Sequence, residues 1–173
     1  MKKIITRNLY LRLLSISDIT PEYIDALNDE EVVKLTEARH QKWDEESVKR
    51  YIIESNVEGV SQLIGIFRRE SDKHVGNIRL SNFSASHKRA ELGIMLFDKS
   101  QWSKGYGTES LTAITDYVFN DLKLHKICAD YYSVNVASSK MFKKAGFEIE
   151  GVSKEHFLLD GEYVDSVRIA KFK

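Results

Sequence analysis

The chain has 173 residues, 42% hydrophobic and 30% charged, with 26 Lys and Arg balanced by 26 Asp and Glu. That length and balance fit one globular domain, residues 1–173, with a core of its own. They carry no basic footprint for nucleic acid, although a local basic patch stays open. No apolar run approaches the roughly 18 residues a membrane helix needs. The opening Met1-Lys2-Lys3-Ile4-Ile5 is cut off by Thr6, Arg7 and Asn8 before a signal-peptide core forms. Cys128 is the only cysteine and cannot close an internal disulfide, which suits a cytoplasmic protein; it reads as a small buried hydrophobe.

Leu9, Leu11 and Leu13 alternate with Tyr10 and Arg12, which predicts a half-buried strand. Thr20-Pro21-Glu22 reads as a cap, a first-turn proline and an acidic start to a short helix carrying Tyr23, Ile24 and Leu27 inward. Val32 to Lys42 shows no clear period. Asp44-Glu45-Glu46-Ser47 opens a second helix with Val48, Tyr51 and Ile52 on its apolar face. Gln62–Arg69, Lys73–Phe83 and Lys88–Phe97 then read as an antiparallel meander. A helix after the glycines places Leu111, Ile114, Val118 and Leu122 at spacings of three and four.

His125–Tyr131 is a further strand, and the order strand, helix, strand predicts parallel pairing of Leu92–Phe97 with His125–Tyr131. Asn135 to Ala145 reads as a helix with Ala137, Met141 and Phe142 inward and Gly146 at its C-terminal cap. Strands near Phe147–Leu159 and Glu162–Phe172 meet at Asp160-Gly161, a two-residue hairpin signal. The sum is an α/β fold: an antiparallel half, one crossover, a second helix and a closing hairpin.

The stretch Trp102-Ser103-Lys104-Gly105-Tyr106-Gly107-Thr108 lies between a strand and a helix. Glycines there allow unusual dihedrals and close approach of a ligand, and the following helix start attracts phosphate. A P-loop would need Gly-Lys-Ser/Thr in that order, whereas Lys104 precedes Gly105. A dinucleotide fingerprint is approached by Gly105, Gly107 and Ser110, with Asp130 after the next strand. Its glycines belong directly after the strand, and here Asp98 to Lys104 intervene. A plain loop-to-helix turn is the bland alternative. His40, His74, His87, His125 and His156 lack metal-ligand spacing, and no metal is expected.

The segment resembles the acetyl-CoA loop of the GNAT superfamily of acetyltransferases, Gln/Arg-x-x-Gly-x-Gly/Ala opening a helix. Trp102 departs at the Gln/Arg position, as in the branch of ribosomal-protein N-terminal and spermidine acetyltransferases. Arg7–Arg12, Arg89–Ile94, Leu124–Ile127, Asn135–Phe147 and Asp160–Asp165 add family-like phrases in order along nearly the whole chain. The resemblance implies a GNAT fold: a mixed, mostly antiparallel sheet with one parallel crossover, splayed central strands and helices on both faces. It implies acetyl-CoA as co-substrate, with the pyrophosphate on main-chain N–H groups of Trp102, Ser103, Lys104, Gly105, Tyr106, Gly107 and Thr108. The pantetheine arm is expected between the Met95 and Ile127 strands, bonding near Met95, Leu96 and Phe97 and touching Asn135.

By the same resemblance Glu91 is the candidate base, a carboxylate in an otherwise apolar strand; a solvent-facing residue paired with Arg89 or Lys88 is the plainer reading. Phe142 stands where many members carry a tyrosine acid, so Ser138 is the candidate acid, with a water as its rival and helix capping as its bland role. Thr36–Gln41 and Tyr163 are expected to wall the acceptor pocket. There Glu37 suits a cationic amine, and Arg39 or His40 an anionic group. The leading acceptor is the amine of a small molecule or amino-sugar nucleotide, with a polyamine, a protein N-terminus or a weakly active acyl-CoA-binding module as rivals. NAD(P)H binding would be the redox alternative. A homodimer through a sheet edge is a further implication.

Overall fold

A computed structural model describes residues 1–173. Alternating leucines make β2 (Leu9–Leu13), which pairs antiparallel with a short β1 (Ile4–Ile5) and with β3 (Gln62–Arg68). Strand β3 continues antiparallel to β4 (His74–Ser84), and β4 to β5 (Arg89–Leu96). Beyond β5 come β6 (Lys126–Tyr132), β8 (Glu162–Phe172) and, at the edge, β7 (Glu148–Leu159). Asp160 and Gly161 both have positive φ, as the tight hairpin between β7 and β8 requires.

The helices divide between the two faces. On one lie α1 (Pro21–Leu27), capped by Thr20; α2 (Glu30–Val33); and α3 (Glu45–Ser55), capped by Asp44. They bury Tyr23, Leu27, Val33, Val48 and Ile52 against Leu63, Phe67 and Phe97. On the other lie α4 (Tyr106–Asp116) and α5 (Val136–Lys144), whose Leu111, Ile114 and Phe142 pack on Ile64, Ile78 and Ile127. The sequence leaves Val32–Lys42 open; it holds the end of α2 and a 3-10 turn, Glu37–His40. Helix α4 runs into a π-turn at Tyr117–Asp121, which leaves Leu122 only half-buried.

Two expectations need correction. The parallel seam between β5 and β6 covers only Arg89–Lys126, Ala90–Ile127 and Glu91–Cys128 in register, so Leu92–Phe97 does not pair with β6. Each strand keeps an antiparallel neighbour on its other edge, β8 beside β6 and β4 beside β5, the latter with one irregularity between Ser81 and Ser84. The parallel pairing is weaker per residue, and the sheet opens there. Ala137 is exposed rather than inward; the inward stripe of α5 is Ser138, Met141, Phe142 and Ala145. That stripe follows the three-and-four spacing of a helix that meets the sheet on one side.

Candidate active site

The site begins where β5 and β6 part. Phe97 N–H bonds to Val75 O, and Met95 lies opposite Asn77, so the odd-numbered residues of β5 exchange main-chain bonds with β4. The even-numbered residues face the other way. Past Glu91, that turns the main-chain groups of Ile94 and Leu96 toward the gap. Leu96 O is taken by the indole N–H of Trp102 at 2.7 Å. Of the expected main-chain contacts at Met95, Leu96 and Phe97, Leu96 faces the opening, while Met95 and the N–H of Phe97 are turned to β4.

The glycine loop starts beside this opening. Ser103 and Gly105 both take positive φ, +61° and +84°, and Gly105 is the cap of α4. From Ser103 to Thr108 every main-chain N–H lacks an acceptor in the protein, and the free run ends where Glu109 N–H reaches Gly105 O. Trp102 N–H is not part of it, because it bonds to Lys99 O at 3.2 Å. The glycines differ in role. A Cβ on Gly105 would meet open space, so that glycine serves the left-handed turn. A Cβ on Gly107 would strike Met141 Sδ, so that glycine lets α5 pack against α4. Lys104 Nζ lies 3.3 Å from Gln101 Oε1, and Thr108 O accepts from Thr112.

A cavity of about 990 Å³ runs through the sheet at the gap. Tyr23, Tyr51, Asn77 and Arg79 line it on the α1–α3 face, Met95 and Asp130 flank the opening, and Asn135, Ser138 and Phe142 line the α5 end. Asn135 Oδ1 caps α5 by accepting from Ser138 N–H at 3.0 Å. Ser138 Oγ has no partner in the protein. Asp130 accepts weakly from Ser166 Oγ at 3.4 Å. Glu91 stands at the fork itself, in the last pair before the strands separate. It is exposed, accepts from Asn82 Nδ2 at 2.6 Å, and lies outside the cavity lining. Arg89 and Lys88 are not its partners. Cys128, its register neighbour, is half-buried rather than buried.

One rim of the cavity is held by polar contacts between the loop after α2 and the tip of the β7–β8 hairpin. Lys34 meets Asp160 at 2.7 Å, Arg39 donates to Leu158 O at 2.6 Å, and Glu37 accepts from Tyr132 at 2.7 Å. Thr36, Glu37 and Gln41 line the cavity, while Arg39 is spent on the hairpin. His40 is exposed beside Glu37. Tyr163 is 68% exposed and plays no part; Phe157, stacked on Tyr132 at 3.9 Å, supplies the hairpin wall instead.

Sequence reasoning weighed Asp130 only for a dinucleotide fingerprint and Tyr23 only for the core, and passed over Asn77; it assigned none of the three to this cavity. For Asp130 a signal existed: Cys128, Asp130 and Tyr132 alternate with the apolar Ile127, Ala129 and Tyr131, which puts the acid on the cavity face. Beneath Asn77 lies His74, its ring set among Tyr23, Phe67 and Phe97. Burial pushes its pKa down to about 4, against weaker help from the Asn77 hydrogen bond.

A family model for the acetyltransferase (GNAT) domain matches residues 8–148. The Bacillus subtilis protein named probable N-acetyltransferase YjcK is 33% identical over 102 residues, 58% of this chain and 56% of that protein. The [ribosomal protein uS5]-alanine N-acetyltransferase of Escherichia coli is 32% identical over 120 residues, 69% of this chain and 61% of that protein. The matches thus span little more than half the length of these curated relatives. A solved structure of spermidine N-acetyltransferase from Vibrio cholerae, in complex with CoA and spermine, superposes with a TM-score of 0.84 at 20% identity. It covers 95% of both chains, and the likeness is one of fold.

Proposed function

The chain belongs to the GNAT acetyltransferase family, and on that premise we propose that it moves an acetyl group from acetyl-CoA directly to a primary amine. The acceptor is the amine of a small molecule or amino-sugar nucleotide. The observation that carries this reading is the cavity that passes through the split between β5 and β6. It lets a thioester enter beside α4 and α5 and an amine enter from the α1–α3 face. The six amides from Ser103 to Thr108 cradle the diphosphate, each donating without a side chain's help. The pantetheine arm lies along Ile94 and Leu96 and against Asn135. A main-chain N–H on that open edge donates to the carbonyl oxygen as it gains charge.

The amine nitrogen attacks the thioester carbon, the C–S bond breaks, the amine gives up a proton, and the thiolate takes one. Ser138 Oγ, unpartnered at the α5 end, supplies that proton directly or through a water. Glu91 receives the amine proton through water at the fork of the strands. A second reading gives this task to Asp130, because Asp130 lines the cavity and Glu91 does not. Glu91→Gln and Asp130→Asn separate the two. The variant of the true base loses on the order of a hundredfold in kcat/KM, with acetyl-CoA affinity unchanged by calorimetry; retained turnover in both rules out both.

Thiol release with a panel of amines tests the whole reading. Turnover with a small amine or amino sugar supports it. Preference for spermidine or a peptide N-terminus moves the acceptor to the polyamine or protein class, as for the named relatives. Tight acetyl-CoA binding without turnover marks an acyl-CoA-binding module, and no binding at all overturns the proposal.

A further inference from the structure

The floor of the acceptor half of the cavity is held in one polarity by a residue that never reaches it. His74 Nε2 lies 3.1 Å from Gly76 O and 2.8 Å from Asn77 Oδ1. A main-chain carbonyl only accepts, so Nε2 must carry the proton, and the Asn77 oxygen must be the atom facing it. The Asn77 amide nitrogen is then fixed toward Tyr23 Oη, 2.6 Å away. Tyr23 accepts that bond, keeps its own O–H proton, and has no other hydrogen-bond partner in the protein. Both side chains are more than nine-tenths buried, with 1% of Tyr23 and 6% of Asn77 exposed, and both line the cavity. Burial raises the Tyr23 pKa, and burial lowers that of His74, so the phenol stays O–H and the imidazole stays neutral near pH 7.

The geometry points to a donor-only subsite, locked by His74 and formed by Asn77 Nδ2 and Tyr23 Oη, that takes a carbonyl or hydroxyl oxygen of the acceptor. It rests on the acetyl-transfer reading of the same cavity. Arg79, two residues along β4 on the same face, lines the cavity as a further donor. Most acids lie elsewhere on the lining: Glu37, Asp44, Glu46 and Glu54 on the helical wall, where they outnumber Lys42 and Arg50, and Asp130 at the gap. An ammonium is therefore drawn by the acids and an oxygen by the floor. Asn77 lies opposite Met95, one strand or about 5 Å from the β5 main chain. The oxygen that fits is thus only a few bonds from the reacting nitrogen, as in a 2-amino amide, an amino alcohol or an amino sugar. A plain polyamine has no such oxygen, and burying it over these donors would leave them unpaired. His74 is a positioning residue here, since it touches no substrate.

The test compares glycinamide and glucosamine with 1,3-diaminopropane and spermidine, in turnover and in equilibrium binding to the full chain with CoA present. The unmodified protein should favour the oxygen-bearing amines at least tenfold by both measures. Asn77→Asp, which turns a donor into an acceptor, should erase or reverse that ratio, chiefly through KM. His74→Phe, which keeps the aromatic packing and frees the amide to turn, should shrink it similarly, and Tyr23→Phe should lower it a few-fold. Favouring glycinamide alone or glucosamine alone tells which source the oxygen comes from. A preference for the diamines, or a ratio unmoved in the variants that fold, overturns the subsite. Binding preference without turnover would overturn the acetyl-transfer reading and leave the subsite standing; turnover without preference would do the reverse.

Discussion

Along its β4 edge, β5 is bonded from Arg89 to Phe97; along its β6 edge the pairing stops at Glu91. The same strand therefore has one seam that holds the sheet together and one that opens it. On the α4–α5 face the closed seam is covered by the apolar, fully buried Ile78 and Leu80, while its other face presents Asn77 and Arg79 to the cavity. Next to the open seam stand Trp102, Asn135, Ser138 and Asp130, polar or only partly covered. The difference teaches that folding free energy is concentrated on one edge of β5, and that the other edge is free to hold a ligand because the first is complete.

The sharpest way to break the comparison is to damage the closed seam. Ile78→Ala empties a site at 0% exposure and is expected to cost about 4 kcal/mol in urea unfolding, with acetyl-CoA affinity retained wherever the protein is folded. A smaller effect comes from acid. Folded His74 titrates near 4, below the ordinary 6.5, so between those values the unfolded chain takes up a proton that the folded one refuses. Stability should fall as pH drops from 6.5 to 4, by on the order of 3 kcal/mol, and be flat with respect to this group above 6.5. His74→Phe should remove that slope from thermal unfolding followed against pH. The smallest stability change belongs to the open seam. Trp102→Phe loses only the hydrogen bond to Leu96 O, about 1 kcal/mol, yet should weaken acetyl-CoA binding several-fold by calorimetry. A Trp102 variant that unfolds as readily as Ile78→Ala would dissolve the distinction.

Local chemistry made most of the elements readable in the sequence. Leu9 and Leu11 show a period of two, Thr20-Pro21 and Asp44 cap their helices, and Asp160-Gly161 can turn a hairpin tightly. The glycine loop was readable for the same reason, since a left-handed turn before a helix favours Gly105. What was hidden depends on partners distant in the chain. Nothing local to Leu92–Phe97 says that pairing with β6 ends at Glu91; that depends on where β5, held by β4 on its far edge, and β6, held by β8 on its far edge, diverge. Nothing near Trp102 says that its N–H is consumed by Lys99 O. His74 was one histidine among five without ligand spacing, and its hold on Asn77 appears only when β4 curls the ring back onto its own strand. Tyr163 was expected at the pocket from its place in the hairpin, but the alternation of β8 sends it to solvent.

The run of unpartnered amides from Ser103 to Thr108 belongs to the backbone. Outside Gly105 and Gly107, exchange of one side chain for another leaves every donor in place, and only proline deletes one. The acceptor floor is the opposite case, because Asn77, Tyr23 and Arg79 act through atoms that a single codon change removes. Over evolutionary time, or in a mutant library, such a chain can therefore trade one amine for another while its grip on the nucleotide end stays constant.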